Sequence, residues 1–219
     1  MIKFGAPTLK RKGILKHAED VSIHPINLKD FDYEERPGYL YAVSRAISSR
    51  VNANYDGWPV KELRKAYKTF VGRPVFVEHN NSDPKEARGV VLDSLYKETR
   101  LSSGHTDGSV YCLMEIDAHS FPKLGAAIMS GQIPGVSMGA DVGSTTCSAC
   151  GNNAKTERDY CEHLPYMKGM RLDIYKNGSR KEALVWENCH NPNFFELSCV
   201  FDPADESAWF LDKKMVPYA

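Results

Sequence analysis

Cys147-Ser-Ala-Cys150 is followed, after ten intervening residues, by Cys161-Glu-His163. Three thiols and an imidazole at this spacing are a donor set that a tetrahedral zinc ion accepts. A closed set of four N/S ligands leaves no position for water or substrate, so Cys147, Cys150, Cys161 and His163 predict a structural zinc and no catalytic one. The intervening GNNAKTERDY is polar and turn-prone, and a metal would supply the order that packing cannot. Cys112, Cys189 and Cys199 lie in or beside apolar runs and read as small hydrophobes. Cys189-His190 has no companion Cys-x-x-Cys, which argues against a second metal site.

Catalysis must then be sought elsewhere. Gly135-Val-Ser137-Met-Gly139 matches the G-x-S-x-G pattern of a nucleophile elbow. The context contradicts an elbow, because Pro134 interrupts the preceding run and Ala140-Asp-Val-Gly-Ser144 starts no helix. The glycines suit instead a serine held on a strand, with close backbone approach and N–H groups free for an oxyanion. Such a serine needs a base, usually histidine. Of seven histidines, His163 is spoken for by the metal, and His17, His24, His105 and His119 lie in the head, a polar turn or a pre-helix position. His79 ends an apolar strand and precedes the loop Asn80-Asn-Ser-Asp-Pro84. It is the candidate base.

These residues need elements to hold them. Alternation and β-branched or aromatic content predict strands at 38–51, 74–79, 89–96, 109–118, 133–142 and 194–201. Two more, 171–176 and 181–186, flank the hairpin signal Asn177-Gly178. Val60, Leu63, Ala66 and Phe70 recur at helical spacing; 121–130 reads as a helix behind a Ser120 cap, stopped by Gly131. Asp202-Pro203 predicts a last short helix through about Leu211. The sum is a mainly β, α+β fold: an antiparallel barrel of about seven strands, closed or nearly closed, with peripheral helices and a zinc-knuckle insert. The expected organisation is a basic N-terminal arm (1–30), a barrel domain (31–212) containing the insert (144–168), and a tail (213–219).

At 219 residues, 42% apolar and 26% charged, the chain can bury one substantial core. Lys plus Arg equals Asp plus Glu at 28 each, which removes any global electrostatic case for nucleic acid. The local excess, Lys3, Lys10, Arg11, Lys12 and Lys16, reads as a solvated arm. No run is long enough to span a membrane and the N-terminus lacks a secretory signal's apolar region. Thiols at metal spacing indicate a reducing compartment, so the expected location is cytoplasmic.

Three blocks occur in order: NANYDGWPVKEL, AYKTFVGRPVFVEHN and ARGVV between Asn52 and Val91; AAIMSGQIPGVSMG, Ala126 to Gly139; and NFFELSCVFDPADESA, Asn193 to Ala208. Together they resemble the prohead (capsid maturation) proteases of tailed phages, a family distantly similar to the herpesvirus assemblins. The resemblance implies that Ser137 is the nucleophile and His79 the general base. It also covers the insert, which recurs in one branch of that family. For the third member, herpesvirus enzymes use a second histidine and several phage relatives a carboxylate in the F-F-E-x-S block, here Glu196. Glu196 fits equally a solvent-facing strand position, and His190 and Asp141 are its competitors.

The resemblance thus implies a serine endopeptidase acting on scaffold and major capsid protein inside the assembling procapsid, in the host cytoplasm. Self-cleavage and a homodimer belong to the same expectation; a membrane partner does not. One alternative is a non-catalytic assembly or scaffold-binding protein that keeps the protease fold. A zinc-ribbon nucleic-acid adaptor is disfavoured by the zero net charge.

Overall fold

The computed structural model describes residues 2–4, 26–176 and 179–218. The basic cluster from Lys10 to Lys16, His17, His24 and the Asn177-Gly178 turn fall outside them. In chain order the elements are β1 (Ile2–Phe4), β2 (Tyr39–Ser48), β3 (Asp56–Gly57) and α1 (Val60–Ala66), which tightens into a 3-10 turn at Tyr67–Phe70. Next come β4 (Pro74–Val77), β5 (Gly89–Arg100), β6 (Thr106–Asp117), α2 (Pro122–Ser130), β7 (Gly135–Cys147) and β8 (Asn153–Ala154). They are followed by α3 (His163–Met167), β9 (Arg171–Lys176), β10 (Ser179–Leu184), β11 (Glu187–Val200) and β12 (Phe210–Met215).

Ten strands form one sheet in the order β1-β7-β11-β4-β5-β6-β2-β12, with β3 added on β11 and β8 on β7; β9 and β10 pair separately. The fold is mainly β with few helices, as composition and alternation indicate. It is not a closed barrel. The strand path is open; β7, the strand next to its β1 end, approaches the residues leading into β12 at its other end through an isolated bridge, Gly135 to Trp209. Nor is it wholly antiparallel, since β11 runs parallel to β4 and β3.

Two expected helix features fail. Residues 202–209 form turns, not a helix, because their polar groups are drawn to neighbouring strands. Asp205 accepts from Ser48 N and Oγ and from Ser207 N and Oγ, while Val136 N donates to Ala208 O. The chain then continues as β12 along β2. Before α2, Phe121 occupies the N-cap with no side-chain cap, and Ser120 N instead donates to Asp117 Oδ1. Gly131 does end α2, at φ 79°.

β2 and β6 are buried on both faces, which explains their near-continuous apolar runs. Leu40, Ala42, Cys112, Met114 and Ile116 face the main core. Tyr41, Val43, Tyr111 and Leu113 pack under Ile26, Leu28 and Phe31 on the other side. Within the main core Phe194 of β11 stacks on Phe70, ring centroids 4.1 Å apart and 8° from parallel, with Trp58 at 5.9 Å from Phe194. Removing a ring from this interleaved stack leaves a cavity that small neighbours cannot close. Phe194→Ala is therefore expected to lower unfolding free energy by about 3–5 kcal/mol in urea titration.

Candidate active site

β7 and β11 pair antiparallel, and directly opposed residues present their side chains on the same face. Val136, Met138 and Ala140 of β7 face the main core together with Phe194, Leu197 and Cys199 of β11. Ser137 opposes Ser198, so both lie on the other face. Strict alternation along β11 would put Glu196 on the face of Phe194, inside the apolar core. A β-bulge prevents this. Phe194 opposes Ala140 and Glu196 opposes Gly139, so Phe195 is the extra residue and Glu196 is turned onto the face of Ser137 and Ser198.

Gly139 makes room for that turn. A Cβ there would lie 2.7 Å from the Phe195 ring and 2.8 Å from Glu196 Cγ. Gly135 serves a different approach, since a Cβ would meet Ala208 O and Pro203 Cγ at 2.5 Å. Both glycines of the G-x-S-x-G string are therefore packing requirements of a strand. β7 runs without interruption through Ser137, and no elbow is present.

His79 does not end β4 but sits two residues beyond it, in a tight reversal. Glu78 and His79 have φ of 49° and 56°, left-handed values that cost non-glycine residues about 1–3 kcal/mol each. The surrounding bonds hold the turn: Glu78 N donates to Cys199 O, Asn80 N to Val77 O and Asn81 N to His79 O. Phe201 N donates to Glu78 Oε1 at 2.8 Å. The reversal brings His79 Nδ1 to 2.5 Å from Glu196 Oε1. Glu196 is fully buried, and its other oxygen, Oε2, accepts from Ser198 Oγ at 2.7 Å. An ionised Glu196 in this position requires the proton on Nδ1 and so leaves Nε2 as the basic nitrogen.

Ser137 is also buried, and among the described residues no hydrogen bond joins its Oγ to the imidazole. A small pocket opens beside it, lined by Ala46, Ile47, Asn52, Ala204 and Asp205 as well as Val136 and Met138. Asp205 is saturated by its four donors, so it is structural. Of the competitors for the third role, His190 has Nε2 at 3.0 Å from Thr146 Oγ1 and Nδ1 at 3.7 Å from Glu62 Oε1. It opposes Ser144, at the far end of β7 from Ser137. Asp141 is exposed on β7, flanked by Asn193 and Ile2. Neither reaches His79. Sequence reasoning passed over Ser198, although its i, i+2 spacing from Glu196 on a strand was the available signal.

At the other end of β7 the chain leaves the sheet through the Cys-rich insert. The ligand atoms of Cys147, Cys150, Cys161 and His163 all lie within 4.8 Å of one another, a set that could hold a metal ion. The donor chemistry fits such an ion. Burial pushes the Cys147 thiol up to about 11. At Cys161 burial acts upward too, but hydrogen bonds from His163 and Cys150 outweigh it and bring the thiol down to about 7. His163 Nδ1 is buried and has no hydrogen-bond partner among the described residues. Cys112, Cys189 and Cys199 are buried away from this cluster, and burial holds Cys199 up at about 12.

The insert is tied to the sheet by a buried ionic cluster. Lys168 Nζ lies 2.6 Å from Asp56 Oδ1 and 2.9 Å from Glu187 Oε2, and Tyr160 OH donates to Glu187 Oε1 at 2.5 Å. Among the described residues no helix is long and apolar enough to cross a membrane.

No family model matches the chain. No curated protein matches it either. Among solved structures, the capsid assembly protease gp21 of bacteriophage T4 aligns over 93% of this chain and 97% of its own, at 19% identity and a TM-score of 0.37. A superposition that loose transfers no residue's role, and the site stands on its own geometry.

That geometry makes Gly139 a direct test of where Glu196 sits. A methyl at this position must displace the carboxylate or the Phe195 ring, so Gly139→Ala is expected to cost about 1–3 kcal/mol of stability. The downfield Nδ1 proton resonance of His79 should be lost in the same variant. An unchanged resonance would contradict the packing described.

Proposed function

We propose that the chain is a serine endopeptidase with Ser137 as nucleophile, His79 as general base and Glu196 as the group that orients His79. The observation that carries this reading is the hydrogen bond from His79 Nδ1 to a fully buried Glu196, on the same sheet face as Ser137. A buried carboxylate aimed at Nδ1 fixes the tautomer and stabilises the imidazolium that forms when the base takes a proton. Nε2 then removes the Ser137 proton as Oγ attacks the scissile carbonyl, and returns it to the leaving amine. Catalytic hydrogen bonds in substrate-free enzymes are often long and close only around substrate.

The oxyanion donor follows from strand geometry. Val136 N–H points away from β11, toward Ala208 O, so the period of two sends Met138 N–H to the same outer edge. Among the described residues that edge is covered at Gly135–Val136 by Ala208–Trp209 and at Gly139–Asp141 by β1. We assign Met138 N–H, next to Ser137 in the chain, as the donor to the developing negative charge.

The substrate class rests on the three sequence blocks. They support cleavage of scaffold and capsid-protein segments inside an assembling phage head, with zinc as the ion held by Cys147, Cys150, Cys161 and His163. Zinc bound there would order the loop that leaves β7, and its four protein ligands leave it no role in the chemistry.

Residues that act as one unit are non-additive. Ser137→Ala, His79→Ala and the double variant should be almost equally inactive on the cognate scaffold, each losing several orders of magnitude in rate. A fluorophosphonate should label Ser137, and labelling should fade in His79→Ala. Scaffold still processed by pure Ser137→Ala protein would sink the protease reading and favour the non-catalytic assembly role. For the metal, elemental analysis of protein purified without added metal should return close to one zinc per chain, and Cys150→Ser should lower the melting temperature. Metal-free, fully folded wild type would refute it.

A further inference from the structure

We propose that Ser198 is a positioning residue of this site, acting on His79 through Glu196. The inference rests on the assignment of Ser137, His79 and Glu196 made above. Glu196 has two oxygens and no access to water, and each oxygen has a different task. Oε1 meets His79 Nδ1 at 2.5 Å, and Oε2 accepts the Ser198 hydroxyl at 2.7 Å. A carboxylate held at one oxygen can swing about its last torsion; one held at both cannot. Ser198 is itself fully buried and anchored on β11, paired with Ser137 on one side and Phe76 on the other. Its hydroxyl therefore locks the carboxylate plane, and the carboxylate in turn sets the imidazole.

The same bond separates two serines that face each other across β7 and β11. The Ser198 proton is committed to a carboxylate oxygen, so Ser198 is not the hydroxyl whose proton passes to His79. Among the described residues the Ser137 hydroxyl has no such bond. Removing the Ser198 hydroxyl also takes a donor from the carboxylate, concentrating its charge on the oxygen that faces His79. An imidazolium beside a stronger anion loses its proton less readily, which moves the acid limb of activity to higher pH.

The test compares Ser198→Ala with wild type on a scaffold-derived peptide. Ser198→Ala is expected to lower kcat roughly 10- to 100-fold, as a misplaced base does, with KM nearly constant and the acid limb of the kcat–pH profile shifted upward. Ser198→Thr, which keeps a hydroxyl, should retain the wild-type limb. Should the alanine variant fail to fold, Ser198→Cys, whose thiol fills the space but donates weakly, carries the same expectation. Wild-type kcat and an unmoved limb in Ser198→Ala, with Ser137 still labelled by fluorophosphonate, would overturn the positioning role alone. Labelling at Ser198 in place of Ser137 would overturn the assignment beneath it.

Discussion

A carboxylate with no water around it must find its donors inside the protein, and Glu196 finds two, His79 Nδ1 and Ser198 Oγ. Several irregularities of the fold exist to make that possible. The bulge at Phe195 turns Glu196 out of the apolar core, where alternation would otherwise have left it unpaired. Gly139 clears the space into which it turns. The double left-handed reversal at Glu78 and His79 folds the imidazole back toward it, and the cost is held by backbone bonds on both sides of the turn. Each feature alone is a local defect. Jointly they are the geometry of one hydrogen bond.

Much of the sheet is legible in the sequence because alternation and β-branched runs survive wherever one face is buried and the other is not. The helical spacing of Val60, Leu63 and Ala66 is equally plain, and Cys147, Cys150, Cys161 and His163 come together, as their spacing indicates, into a group that could hold a metal ion. The failures share a cause. Closure of a barrel depends on whether two distant edges pair, and among the described residues they meet in one isolated bridge, Gly135 to Trp209. The expected helix after Pro203 loses to Asp205, whose four accepted bonds hold that segment in turns. Propensity misses the edge pairing and the two bonds from Ser48 because both are long-range, while the two from Ser207 are a local turn that competes with the helix.

Local pattern is also blind to register. Nothing in F-F-E-L-S says which phenylalanine is the extra residue, yet that decides whether Glu196 faces the core or Ser137. Only the pairing partner, Gly139, reveals the bulge, and it lies on another strand, beyond the reach of any windowed reading.

Register is also what connects the two ends of the β7 and β11 pair. A slip of one residue would exchange the faces of both strands, sending Ser137 inward and Val136 outward. The apolar face resists such a slip near Phe194, but toward the insert the strands carry Thr145, Thr146, Asn188 and Cys189, a less selective pattern. There the chain is fixed by other means. β7 runs directly into Cys147, one of the four residues that could hold a metal ion, and β11 begins at Glu187, which is pinned to Lys168 and Tyr160. Cys147 and Glu187 are themselves register partners. The Cys-rich insert and its half-buried Lys168 therefore clamp the strand pair at the end remote from Ser137, and a clamp at one end of a hydrogen-bonded ladder sets the register of the other. On this account the Cys/His cluster touches the candidate active site through backbone pairing alone, which gives a physical reason for one strand to carry both.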